Sequence, residues 1–359
     1  MRVGIDGRAL QGKLTGVGQY AKNLLVRLPA HLPDAEFFIY TSRTLEHFQE
    51  EGFQIREEPQ ALLRKLPAVG WLKTAAAAQV KRDRLDVFWG PVSFLPALTV
   101  PSLVTVHDLN YRLVPETMTR THQLAHDLWF VKDVQRATRV VTNSQGTLNR
   151  LQQVTGRVAD GVIQPSASQL QVHAGDLQRV REKHGLQTPY LLAVATWEPR
   201  KNLELLIQTF LHMKDQGLLP EHQLVLVGGR GWKDERLAQR VEQGRQHLRP
   251  LGYVPDEDLP ALYALSDVFV FPSRYEGFGM PVLEARHCGT RVVTTDIPEL
   301  REAGGEHAVY IEPTVLGLQN GILQALQMPR PAPVSQVVRW ETGAQQLAML
   351  LTQCAGQKG

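Results

Sequence analysis

The chain has 359 residues, of which 43% are hydrophobic and 21% charged; this is globular composition, and it excludes disorder, collagen and coiled coil. The length predicts about two domains, each able to bury its own core. Lys plus Arg is 39 and Asp plus Glu 36, a net charge of +3, too mild for a dedicated nucleic-acid binder, so no such partner is expected.

The chain opens on Met-Arg-Val-Gly-Ile-Asp-Gly-Arg. This predicts a strand over Arg2–Asp6 running into a polar loop, and it lacks the apolar stretch of a signal peptide. No apolar run approaches the roughly 20 residues needed to span a bilayer. The expected location is therefore the cytoplasm, in solution or peripherally on the inner face of the plasma membrane. Gly12-Lys13-Leu14-Thr15-Gly16-Val17-Gly18 follows, then a helix marked by Tyr20, Leu24, Leu25 and Leu28. Glycines before a helix let the backbone approach an anion, whose charge the helix start favours. A plain βα loop explains the same residues, and neither G-x-G-x-x-G nor a Walker loop is present.

Further strands are predicted at Glu36–Tyr40, Asp86–Trp89, Ser102–His107 and Arg139–Thr142. Among them lies Ala61–Arg84, with six basic residues and Asp83 the only acid. Leu62, Leu63, Leu66, Val69, Trp71 and Leu72 interleave with the cations. Such a segment suits an anionic membrane surface; it equally suits a surface helix pair with its apolar side turned inward. Residues 1–170 carry 20 basic and 15 acidic side chains against 19 and 21 in 171–359, so the positive excess lies in the same half. Val106-His107-Asp108-Leu109 ends a strand, where His107 is either structural or functional.

Gln164–Thr188 contains Pro165, Ser166, Ser168 and a polar helix near Asp176–His184, with Pro189 next. A domain boundary is placed near residue 170. A second series of strands is predicted at Tyr190–Ala195, Gln223–Val227, Asp267–Phe271, Arg291–Thr294 and Ala308–Ile311. Continuous apolar runs such as Val268-Phe269-Val270-Phe271 fit strands covered on both faces. Strands alternating with helices mean α/β architecture with doubly wound parallel sheets. Two series mean two Rossmann-like domains, 1–170 and 171–341, with a last helix in 342–359.

Two motifs in the second half carry chemistry. Thr196-Trp197-Glu198-Pro199-Arg200-Lys201-Asn202 ends its first strand, where ligands of doubly wound sheets bind. Arg offers a fork and Lys a point charge to phosphate oxygens; adjacent cations opening a helix oppose the macrodipole unless an anion binds there. A solvated basic turn is the alternative. Glu276-Gly277-Phe278-Gly279-Met280-Pro281-Val282-Leu283-Glu284 is a glycine loop entering a helix, with Pro281 suited to the first helical position. The N–H groups of Gly279 and Met280 would face a phosphate, and Glu284 would accept two hydrogen bonds from a vicinal diol. The alternative makes Glu276 a loop charge and Glu284 a solvated helix position, although Val282, Leu283 and Ala285 argue for burial. Cys288 and Cys354 exclude a disulfide framework and are read as free thiols in a reducing compartment.

Together these elements resemble the GT4 family of retaining glycosyltransferases, which has the GT-B fold, over nearly the whole chain. The matches are Gly16-Val17-Gly18, His107-Asp108, Glu198 to Asn202, Gly252-Tyr253-Val254 with Asp256-Glu257, Phe271-Pro272-Ser273, Glu276 with Glu284, Cys288-Gly289 and Pro298-Glu299-Leu300. The opening Gly4 to Leu10 resembles bacterial mannosyltransferases of surface-polysaccharide synthesis.

The resemblance implies two domains facing each other across a cleft, with the last helix packed back on the first. It implies a GDP- or UDP-sugar donor, no cofactor, no metal, and a saccharide or lipid-linked acceptor. Arg200 and Lys201 would bind the donor diphosphate, Glu276 the donor sugar and Glu284 the ribose. Gly277, Phe278, Gly279 and Met280 join the donor site, and Tyr253 and Val254 line the base pocket. Gly16 and Val17 would offer N–H groups to the phosphate, and His107 would lie beside the transferred sugar. Two stretches depart from the family pattern: Ala159-Asp160-Gly161-Val162 replaces the usual Asn-Gly-Val, and Thr294-Thr295 runs straight into Asp296-Ile297-Pro298. A nucleotide-sugar epimerase and a non-catalytic GT-B partner subunit are the competing readings. Intact Arg200, Lys201, Glu276 and Glu284 disfavour both. A dehydrogenase would require the absent G-x-G-x-x-G.

Overall fold

The computed structural model describes residues 1–167, 170–231, 235–334 and 338–357. Ser168 of the expected linker and the last two residues lie outside them. The chain forms two compact units: residues 1–112, 120–165 and 338 onward make the first, and 113–119 with 166–337 the second. The divisions fall at 165/166 and 337/338, a few residues earlier than the sequence boundaries, and the short 113–119 segment groups with the second unit.

The first unit holds β1 (Arg2–Asp6), β2 (Glu36–Thr41), β3 (Phe53–Glu57), β4 (Val87–Gly90), β5 (Ser102–Val106), β6 (Arg139–Thr142) and β7 (Gly161–Val162), in the order β3-β2-β1-β4-β5-β6-β7. All its pairings are parallel. Every residue of β4 and β5 is buried, as expected for strands covered on both faces. One cover is the helix Gly16–Leu25, whose Tyr20, Ala21, Leu24 and Leu25 are buried. The helix Trp340–Ala355 joins it, burying Trp340, Ala344, Leu347, Leu351 and Cys354 at three- and four-residue spacing. Gly343 allows the approach, since a Cβ there would lie 3.1 Å from Leu24 Cδ2. The Tyr20 ring meets Trp340 edge-on at 5.8 Å, and its hydroxyl donates to the Ile163 carbonyl at 2.9 Å.

The second unit holds β8 (Tyr190–Val194), β9 (Gln223–Val227), β10 (Leu248–Gly252), β11 (Val268–Phe271), β12 (Val292–Thr295) and β13 (Ala308–Ile311), in the order β10-β9-β8-β11-β12-β13. It too is wholly parallel. In each sheet the strand order reverses once, between β1 and β4 and between β8 and β11. Connections leave in opposite directions there, opening a crevice at the strands' carboxyl ends. Those two crevices are where side-chain chemistry is to be sought.

Candidate functional site

The crevice of the second unit is built from the chain leaving β8 and the chain leaving β11. After β8, Pro199–Lys201 form a single 3-10 turn, and Asn202 closes it in the left-handed region at φ 56°. Asn202 is held there by its side-chain amide, which donates to the Pro272 carbonyl at 3.2 Å. The helix Leu203–Asp215 starts only after this turn. Arg200 and Lys201 therefore do not open the helix itself, and the expected conflict with its dipole does not arise.

Instead the two cations meet Glu276. Arg200 Nη1 donates to Glu276 Oε2 at 2.6 Å and to the Tyr275 carbonyl at 3.1 Å, while its Nη2 donates to Glu198 Oε1 at 2.8 Å. Lys201 Nζ donates to Glu276 Oε1 at 2.7 Å and sits 5.1 Å from the centre of the Phe271 ring. All four charged side chains are at most 14% exposed. Burial alone would raise the Glu276 carboxyl, but Arg200 and Lys201 outweigh it and hold it at about 2. Burial and the neighbouring Arg200 pull the Lys201 ammonium below its usual value, against Glu276 and Glu198. Two cations and two carboxylates thus form one neutral, hydrogen-bonded cluster, the condition under which buried charges are tolerated.

The loop from Gly277 to Gly279 is buried and leads into the helix Met280–His287. Gly279 has φ +100°, a backbone conformation that favours glycine, and a Cβ on it would also press on Leu300 Cδ2 at 2.5 Å. Met280 is the first helical residue and Pro281 the second, one position later than expected. Phe278 is a core residue. Glu284 lies one turn after Met280 and accepts a hydrogen bond from Tyr263 Oη at 2.8 Å. Burial raises its carboxyl to about 7, with Tyr263 opposing and Asp256 adding to the rise. Val254 is buried, whereas Tyr253 is 60% exposed. Arg200, Lys201 and Glu276 are thus brought into contact; Glu284 stands in a separate contact with Tyr263.

In the first unit, Gly16 and Val17 begin the helix Gly16–Leu25, which has no side-chain cap. Gly16 is exposed. Gly18 serves packing, since a Cβ would lie 2.5 Å from the Ala9 carbonyl oxygen. His107 follows β5 and is buried; its Nε2 lies 2.8 Å from the Pro91 carbonyl, which follows β4. A carbonyl only accepts, so Nε2 carries the proton, and burial pulls the ring below its ordinary value. The His107 carbonyl accepts from Thr147 Oγ1 at 3.4 Å. The ring also meets Tyr20 edge-on at 4.9 Å.

The segment 61–84 departs from the expected lipid-facing stripe. Trp71 and Leu72 are fully buried, and only Leu62 and Leu66 among the six named apolar residues are exposed. Lys73 turns inward to the buried Asp133, whose Oδ1 also accepts from Arg136 Nε at 2.9 Å and whose Oδ2 accepts from the Leu95 N–H at 3.0 Å. Helix amphipathicity explains this: Trp71, Leu72, Ala75, Ala76 and Val80 share the inner face. A second exposed apolar stripe, Leu124, Leu128 and Val131, was not singled out from the sequence. No helix among the described residues is long and apolar enough to cross a membrane.

Other features escaped the sequence reading. Glu198 sits in a quoted motif, but its contact with Arg200 requires the fold. Gly228 and Gly231 press against the Ala195 and Trp197 carbonyls, where a Cβ would lie 2.0 and 2.4 Å away; the Gly-Gly-Arg-Gly run after β9 was a legible signal for this. Asp256-Glu257-Asp258 has the Asp-x-Asp spacing of a metal motif. Here Asp258 is instead buried against Arg179 at 2.7 Å, Lys183 at 2.8 Å and His184 at 2.9 Å, while Asp256 is exposed.

The model for "Glycosyltransferase Family 4" matches residues 14–163, and that for "Glycosyl transferases group 1" matches residues 176–340. O-antigen chain mannosyltransferase B of Escherichia coli is 32% identical over 88% of this chain and 87% of its own length. The GDP-mannose-dependent alpha-(1-6)-phosphatidylinositol monomannoside mannosyltransferase of Mycolicibacterium smegmatis is 25% identical over 86% of each chain. Among solved structures, sucrose-phosphate synthase of Thermosynechococcus elongatus superposes with a TM-score of 0.73 at 17% identity, over 99% of this chain and 97% of that one.

Proposed function

Since the chain belongs to the family 4 glycosyltransferases and has their GT-B fold, we propose that it transfers mannose from a nucleoside-diphosphate sugar to a saccharide or lipid-linked acceptor in surface-glycan synthesis. The O-antigen relative supports the sugar and the setting. The mycobacterial relative supports GDP as the leaving group and a lipid-linked acceptor. The observation that carries the reading is the Arg200–Lys201–Glu276 cluster at the strand reversal of the second sheet.

The chemical task is to break an anomeric C–O bond. Negative charge grows on the departing diphosphate and positive charge on the sugar ring. Arg200, Lys201 and the N–H groups at the start of the helix Met280–His287 would receive the former, already oriented before reaction. With those donors in the chain, the step requires no metal. Glu276 is ionised at neutral pH, so it accepts hydrogen bonds from sugar hydroxyls and does not act as a general acid. A diphosphate entering the cluster competes with Glu276 for Lys201, leaving the carboxylate for the sugar. By the family's pattern, Gly16 and Val17 are assigned to the donor phosphate and His107 to the transferred sugar. The buried, neutral His107 ring fits a positioning role better than proton transfer. Tyr253 and Val254 take the base and Glu284 the ribose. The family retains anomeric configuration, and no enzymic nucleophile is assigned.

With a lipid-linked acceptor, the first unit would work at the inner face of the plasma membrane. Support comes from Arg64, Lys65, Lys81, Arg82 and Arg84, all exposed, and from exposed Leu62, Leu66, Leu124, Leu128 and Val131. Nucleotide release on incubation with GDP-, UDP- and dTDP-sugars tests the transferase reading; no release and no binding with any donor would overturn it.

A further inference from the structure

Tyr263 belongs to no motif and looks like a core aromatic. It lies on the helix Leu259–Leu265, fully buried, with its ring edge-on to Phe269 at 5.3 Å. Its backbone is fixed as well: the Tyr263 carbonyl accepts from Ser266 Oγ at 2.9 Å and Thr290 Oγ1 at 2.6 Å. A phenol so confined has one direction for its hydroxyl, and that direction ends on Glu284 Oε2 at 2.8 Å. Among the described residues no second hydrogen bond reaches the Glu284 carboxylate, and the side chain remains partly exposed.

We propose that Tyr263 is a positioning residue for nucleotide binding: by engaging Oε2, it fixes the Glu284 carboxylate so that Oε1 meets the vicinal hydroxyls of the donor's ribose. The proposal rests on the reading of Glu284 as the ribose holder. An ionised carboxylate has about four acceptor sites, enough for the phenol and both ribose hydroxyls together. A flexible glutamate would have to be ordered on each binding event, whereas one tethered by a buried ring is ordered beforehand. The same hydrogen bond favours the ionised form of Glu284. The other groups facing that carboxylate oppose ionisation or are neutral: Asp256, from the loop after β10, raises it, and the Cys288 thiol, one turn later, is itself raised to about 12 by burial and by Glu284.

The test uses the full chain with GDP, UDP and their 2′,3′-dideoxy forms, followed by calorimetry from pH 5.5 to 9. Tyr263→Phe keeps the ring and removes only the hydroxyl. It is expected to cut the preference for ribose over dideoxyribose at least threefold, to raise the pH midpoint of nucleotide binding by about half a unit or more, and to raise donor KM while kcat stays within twofold. A merely structural role would lower Tm without moving midpoint or preference. If both are unchanged in Tyr263→Phe but the ribose preference is lost in Glu284→Gln, Tyr263 has no positioning role. If Glu284→Gln also keeps the ribose preference, the ribose reading itself falls and this proposal with it. Should Tyr263→Phe not fold, Tyr263→Met, also lacking the hydroxyl, is measured. Carboxyl carbon NMR of Glu284 in the wild type and in Tyr263→Phe gives an independent reading: an unmoved Glu284 titration together with an unchanged ribose preference overturns the proposal.

Discussion

Lys201 and Glu276 lie 75 positions apart in the chain, yet their side chains meet at 2.7 Å in a nearly solvent-free contact. The pairing follows from topology: β8 and β11 are neighbours in the sheet, and each residue follows the carboxyl end of its strand. Arg200 completes the arrangement at 2.6 Å. Lys201→Ala leaves Glu276 paired with Arg200, so the fold should persist while a donor to the leaving diphosphate disappears. By analogy with loss of one oxyanion donor, turnover should fall by about 10²–10³, read as nucleotide release. Unchanged turnover would remove Lys201 from the mechanism.

Glu276→Gln leaves two buried cations facing each other without their shared counter-charge. Breaking a buried ion cluster from one side costs on the order of 3–5 kcal/mol, so this variant should lose more stability than Lys201→Ala. Urea midpoints of the two variants decide the order. The native cluster has a pH signature as well. Glu276 is depressed to about 2, so its contribution is present above the ordinary glutamate range and is lost as pH falls toward 2.

Glu284 has the opposite sign. Its folded carboxyl is raised to about 7 by burial, so the folded state holds a proton there that the unfolded chain has already released. Stability from this group is complete below the ordinary glutamate value and declines as pH rises through about 7, by roughly 3 kcal/mol at most. Nucleotide binding should strengthen over the same rise, since the ionised form accepts both ribose hydroxyls. Glu284→Gln should flatten both profiles between pH 5 and 8; a wild-type profile already flat would refute the assignment.

The sequence shows every central strand and misses three at the edges of the two sheets. Val268-Phe269-Val270-Phe271 is legible because a central parallel strand is buried on both faces. The strands not predicted, β3, β7 and β10, all lie at sheet edges. Phe53–Glu57 is half polar, with Ile55 39% exposed; Gly161–Val162 is two residues long; Leu248–Gly252 carries Pro250, which only an edge tolerates. The site divides in the same way. Arg200, Lys201 and Glu276 are legible in contiguous motifs, but their mutual neutralisation depends on strand adjacency. Tyr263, within Leu-Pro-Ala-Leu-Tyr-Ala-Leu, has no local mark beyond that of a core helix.

The last helix is structural to the first unit. Trp340 is fully buried and edge-on to Tyr20, so Trp340→Ala should cost about 3–5 kcal/mol. Tyr20→Phe should cost less, about 1–3 kcal/mol, because it strands the Ile163 carbonyl. Thermal denaturation of both variants checks the order.

For the membrane reading, the structure selects the residues to change. Lys73 is to be left intact, because Asp133 depends on it. Replacing Arg64, Lys65, Lys81, Arg82 and Arg84 by Gln should abolish flotation with anionic liposomes at low salt, and Leu124→Ser with Leu128→Ser should weaken it. Flotation indifferent to all of these changes, or absent in the wild type, would leave the segment an ordinary surface.

Donor use and the role of Lys201 are read together from nucleotide release with GDP-mannose, measured beside GDP-glucose, UDP-glucose and dTDP-glucose, in wild type and Lys201→Ala. The wild type should release GDP from GDP-mannose, and the variant should do so at least 100-fold more slowly. Absence of release and of binding with every donor, or equal rates in the two proteins, would contradict this reading.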